Sequence, residues 1–151
     1  MSLDINKIKN TKTVTLSGSF VYTNTDPIRF STDINVEFKP NMIILRNFSV
    51  YDSTLTAPTN LNDNVMQIKT NLINNNTLIS FPLPNNFSSA TSYGFLSITP
   101  NIQFRNFENI NSRYDFTLYN YMGTGLNSDT IDELSLYMTF TLEFVEYEVL
   151  K

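Results

Sequence analysis

Hydrophobic and polar residues alternate along most of this chain, most plainly at its end, ELSLYMTFTLEFVEYEVLK (133–151). Leu134, Leu136, Met138, Phe140, Leu142 and Phe144 hold the even positions, as the buried face of a strand requires. Then the pattern inverts. Glu146 and Glu148 take the even positions, and the apolar side chains move to Val145, Tyr147 and Val149. Two arrangements produce such an inversion: a β-bulge, which shifts side-chain parity by one, or a strand that outruns its own sheet and offers these residues to another surface. The odd positions Tyr137, Thr139 and Thr141 carry no charge. The second face of this strand is therefore predicted to be partly covered, by a second copy of the chain or by the chain's own loops.

The same period of two recurs upstream. TVTLSGSFVY (13–22) predicts a strand in which Gly18 marks a bulge or a close backbone approach. IRFSTDINVEF (28–38) places Ile28, Phe30, Ile34, Val36 and Phe38 on one face, and MIILRNFSVYD (42–52) is continuous enough for a sandwich interior. NVMQIKTNLI (64–73), the turn NNN (74–76) and TLISFPLP (77–84) predict a hairpin whose second strand, carrying prolines, belongs at an edge. GFLSITP and NIQFRNFE predict two short strands or one interrupted at Pro100; RYDFTLYNYM (113–122) and the terminal strand complete the set. PNMIILRNF (40–48) and PNIQFRNF (100–107) form a short internal echo. No stretch carries a sustained helical period. About eight strands with turn signals every ~8–12 residues predict an all-β, single-domain antiparallel β-sandwich, with jelly-roll topology favoured over an immunoglobulin-like one. The expected division is an N-terminal arm over 1–12 and one sandwich domain over 13–151.

Composition narrows the chemistry. The 151 residues are 41% hydrophobic, 13% aromatic and 16% charged, enough to bury a core without crosslinks. There is no His and no Cys, which removes the usual zinc, copper and haem ligands, disulfides, and the Ser-His-Asp and Cys-His nucleophile pairs. What remains for catalysis is carboxylate, lysine or tyrosine chemistry, such as paired-acid glycoside hydrolysis. The net charge of −4 and the scattered Lys and Arg argue against nucleic acid as a partner. The beginning MSLDINKIKNTKTV lacks an apolar run of signal-peptide length, and no window approaches ~20 apolar residues, so neither secretion by that route nor membrane insertion is expected.

Candidate sites are few. Asp129, Asp132 and Glu133 cluster before the last strand, but without calcium-loop spacing they read as a solvated loop, and no metal or other cofactor is expected. If Phe116 and Leu118 face the core, Tyr119 and Tyr121 face outward as a possible ligand or partner surface. About one residue in seven is Asn, and sequons fall at Asn47, Asn75 and Asn86, a bias that AT-rich codons also produce. Tyr137, Val145, Tyr147 and Val149 form the predicted oligomer interface.

The unit FKPNMIILRNFSVYD (38–52), the Asn- and Ile-rich composition without Cys and the long terminal strand resemble the small jelly-roll proteins of virophages and giant DNA viruses. That resemblance implies a non-enzymatic structural or attachment protein of the virion or infected cytoplasm. It also implies homo-oligomers, a trimer favoured, and capsid proteins or a host-surface receptor or glycan as partners. The alternative reading is a carbohydrate-binding module with Tyr119, Tyr121 and nearby Asn side chains as its platform.

Overall fold

The computed structural model describes residues 5–21, 29–52, 65–82, 94–105, 107, 110–120 and 135–150. Nine strands run through them: β1 Ile5–Val21, β2 Arg29–Asn35, β3 Met42–Asp52, β4 Val65–Thr70, β5 Asn76–Pro82, β6 Gly94–Ile98, β7 Ile102–Phe104, β8 Asn111–Asn120 and β9 Ser135–Leu150. All pairings are antiparallel. One sheet has the order β1-β9-β3-β6 with β7 also on β3; the other has the order β2-β8-β4-β5. Apart from the β4-β5 hairpin and the β6-β7 lane, successive strands cross from sheet to sheet, and the last strand lies between the first and third. That interleaved order is the jelly roll, in which two Greek keys wrap around one core.

The core follows from the alternation. In β9, Leu136, Met138, Phe140, Leu142 and Phe144 are fully buried, and they meet Ile68, Leu78, Phe81, Phe116 and Leu118 of the opposite sheet in one hydrophobic cluster. Aromatic rings join the layers: Phe140 lies 5.1 Å from Phe116 and Phe48 lies 5.1 Å from Phe81, both tilted as ring quadrupoles prefer. Gly18 faces the ring of Phe30, and a Cβ there would stand 2.5 Å from Phe30 Cε1 and Cγ. The glycine marks a close approach, without any break in register.

Several expectations are refined. Residues 5–12, expected as an arm, run within β1 and pair with β9 as far as Ile5 opposite Leu150. The first hairpin strand stops at Thr70, because the Thr70 hydroxyl accepts from the Leu72 N–H and starts a three-residue 3₁₀ turn over Asn71–Ile73. Asn74 and Asn75 then take left-handed conformations, at φ 57° and 61°, and send the chain into β5. β5 lies at a sheet edge, as its prolines predict. Strands β6 and β7 occupy one lane beside β3, separated at Pro100 and the left-handed Asn101, so both readings of that segment hold in part. The echo segments thus lie side by side, β7 against the start of β3.

Candidate interaction surfaces

Strand β9 does not change its faces. Its pairing with both neighbours shows parity shifts in the partners instead: β1 carries an extra residue at Lys9, and β3 carries one at Arg46. The core simply ends before the strand does. Beyond Phe144 the inward positions lose their cover, so Glu146 is half-buried and accepts from the Asn10 side chain at 2.7 Å, while Glu148 is exposed. The overrunning end is held by Asn41, whose backbone N–H donates to the Val145 carbonyl and whose Oδ1 accepts from the Tyr147 N–H, each at 2.8 Å.

On the outer side of this sheet the same end is apolar. The bulge at Lys9 turns Ile8 to the face of its partner Tyr147, and Met42 lies opposite Val145. With Ile44 these residues line a depression of about 260 Å³, rimmed by Arg105 and by the Arg46–Glu143 ion pair at 3.2 Å. The Arg105 guanidinium stands 5.9 Å from the Tyr147 ring centre. Val145 is only 2% exposed, so its own chain already covers it; Ile8 is 60% exposed and carries the accessible apolar surface here. The periodicity missed Ile8 because the bulge reverses its parity. The side chain of Val149 lies outside the described residues.

Further along the same face, Thr13 of β1 pairs with Glu143, and then Thr15 and Ser17 stand beside Thr141 and Thr139 of β9. Their hydroxyls meet in cross-strand pairs, Thr15 with Thr141 at 3.3 Å and Ser17 with Thr139 at 3.2 Å. At the far end Tyr137 pairs directly with Tyr51, and the two are 51% and 41% exposed. The outer face thus reads as an apolar depression, an uncharged hydroxyl field and a tyrosine pair.

The other sheet has a different outer face. Phe116 and Leu118 are fully buried, which turns Thr117 and Tyr119 to the other face; Tyr121 lies outside the described residues. Tyr119 is half-buried, with the Lys69 ammonium 4.7 Å from its ring centre. The loop carboxylates Asp129, Asp132 and Glu133 also lie outside the described residues, and among those described no group of three acidic side chains is placed to hold a metal ion.

No protein-family model matches this chain, and no curated protein matches it in sequence. Among solved structures, the cyanophage Pam1 capsid asymmetric unit is 16% identical with a TM-score of 0.41, over 89% of this chain and 85% of that one. The infectious bursal disease virus Gx strain structure is 13% identical with a TM-score of 0.42, over 91% of this chain and 33% of that one. Tobacco necrosis virus is 9% identical with a TM-score of 0.35, over 97% and 89% of the two chains. TM-scores this low carry no argument about role. The jelly roll stands on its own strand order.

Proposed function

We propose that this chain is a non-enzymatic structural protein of a virus-like assembly, and that it associates with copies of itself through the outer face of the β1-β9-β3 sheet. The observation that carries the reading is the make-up of that face. Among the described residues its one acid, Glu143 near the middle of β9, is paired with Arg46, the hydroxyl rows beside it carry no charge, and its ends offer Ile8, Tyr147, Tyr51 and Tyr137. Charge depletion at the centre with aromatic enrichment is the anatomy of an interface core. Copies of a chain with net charge −4 repel one another, so a face without unpaired acids is where they can approach.

Size is consistent with this. From Ile8 to Ser19 the face runs about 36 Å at ~3.3 Å per residue, and with the β6-β7 lane beside β3 the four lanes of the sheet span about 19 Å. The product, about 700 Å², is close to the ~800 Å² per partner of a standard interface. Pairing through the exposed edge of β1 is opposed by Lys7, Lys9 and Lys12, charges of the kind that guard sheet edges.

Light scattering on a sizing column tests the reading. The expected mass is a stable multiple of 17.3 kDa, three times that value for the trimer favoured by the virophage resemblance. Ile8→Lys with Tyr147→Lys should return it to a folded monomer. A monomer at every concentration of the unsubstituted chain overturns the proposal.

A further inference from the structure

On the opposite sheet, three outward side chains stand in one row across three adjacent strands. Arg29 of β2 pairs with Thr117 of β8, and Thr117 pairs with Lys69 of β4. Backbone positions two strands apart are separated by about 10 Å, so the two cations flank the threonine hydroxyl. One row further along β8 sits Asp115, held by the Ser31 hydroxyl and by Arg29 at 3.8 Å. The Asp115 N–H donates to Asn71 Oδ1 at 2.9 Å, and no acceptor among the described residues is turned toward the Asn71 amide NH₂. These residues and Tyr119 line a cleft of about 240 Å³.

The charges in this cleft do not balance. Asp115 answers Arg29, whereas Lys69 has no carboxylate partner among the described residues and rests on Tyr119. Local charge is therefore +1 in a chain whose total is −4. A solvated surface lysine needs no such arrangement, but a lysine fixed over a ring, beside a hydroxyl and facing an arginine, forms three convergent donors for one carboxylate. The other wall asks for something different. Asp115 accepts and the Asn71 amide donates, so this side suits hydroxyl groups and repels a second anion. The volume, below the ~300–1,000 Å³ of drug-sized pockets, suits a single ring.

We propose that this cleft binds an acidic sugar, one ring bearing one carboxylate, with the carboxylate over Thr117 between Arg29 and Lys69 and the ring hydroxyls against Asp115 and Asn71. Tyr119 is a positioning residue, which acts by holding Lys69. This site lies on the sheet opposite the proposed assembly face and does not depend on it.

The test is titration of the full-length protein, followed by NMR, with glucuronic acid and N-acetylneuraminic acid, with glucose as the neutral control and acetate as the bare carboxylate. Oligosaccharides ending in either acidic sugar form a second arm. The expected result is saturable binding of at least one acidic sugar, at least tenfold tighter than glucose or acetate. Tighter binding of the capped oligosaccharide would assign the ligand to a glycan terminus, and equal or weaker binding to a free sugar acid; either supports the site. Lys69→Gln and Thr117→Val should each weaken binding about tenfold in a protein whose thermal midpoint is unchanged. Tyr119→Phe should keep the affinity, since the ring face remains, and Tyr119→Ala should lower it. No saturable binding of either acidic sugar, binding of glucose or acetate as tight as theirs, or full affinity in Lys69→Gln would each overturn the proposal.

Discussion

Replacing Gly18 with alanine should destabilise a strand that propensity alone says it would strengthen. The new Cβ would sit 2.5 Å from Phe30 Cε1 and Cγ, whereas carbon atoms in contact rest about 3.5–4.0 Å apart. The ring would have to retreat by about 1–1.5 Å. It cannot retreat inward, because Phe116 is stacked on it at 5.0 Å with planes 15° apart and Phe140 lies at 6.0 Å. Overpacking of this kind costs about 1–3 kcal/mol. Removing glycine from a strand interior returns about 0.5–1 kcal/mol. The central values, about 2 against about 0.75 kcal/mol, predict a net loss of about 1 kcal/mol. Urea denaturation should show a lower midpoint with an unchanged slope, and the thermal midpoint should fall by roughly 2–4 °C for each kcal/mol. Phe30→Leu should be destabilising alone, yet in its presence Gly18→Ala should lose most of its cost, a coupling that a double-mutant cycle reads directly. If Gly18→Ala is as stable as the parent, or its effect simply adds to that of Phe30→Leu, the packing argument is refuted.

Two further changes probe the turn that ends β4. Thr70 is the one buried polar residue among those described, and its hydroxyl caps the 3₁₀ turn; Thr70→Ala should cost about 0.5–2 kcal/mol in urea denaturation, and Thr70→Ser should restore most of it. Asn74 stands at φ 57°, where a β-branched side chain is strained, so Asn74→Ile should cost about 1–2 kcal/mol by the same assay.

How far the sequence discloses this molecule depends on whether a signal is local. The inward run from Leu136 to Phe144 is legible because each residue faces the same core, and the alternation is the record of that burial. The beginning of β1 is not, because Lys7, Asn10 and Lys12 stand where an apolar inward face would be. Their strand is held by pairing with β9, about 140 positions away, and Lys12 donates to the Asn35 carbonyl at the end of β2 instead of entering the core. The inverted end of β9 is visible, but which of its two explanations holds shows only in the register, where β9 keeps its faces and outruns the core while the bulges fall on β1 and β3. The cleft divides in the same way. Tyr119 shows itself by alternating with Phe116 and Leu118, while Arg29, Thr117 and Lys69 each resemble ordinary surface until the register of three strands sets them in a row.

The central claim is that the outer face of the β1-β9-β3 sheet is buried between copies. Because the chain has no cysteine, Ile8→Cys introduces a single thiol at the centre of that claim, and Ser80→Cys on β5 of the opposite sheet provides a reference. The rate of maleimide labelling should be measured for both from dilute to concentrated protein, with the mass followed by light scattering. The account predicts that labelling at position 8 slows as the mass rises above 17.3 kDa, while labelling at position 80 stays constant. Equal labelling rates at position 8 in the monomer and the assembly would contradict it and place the interface elsewhere.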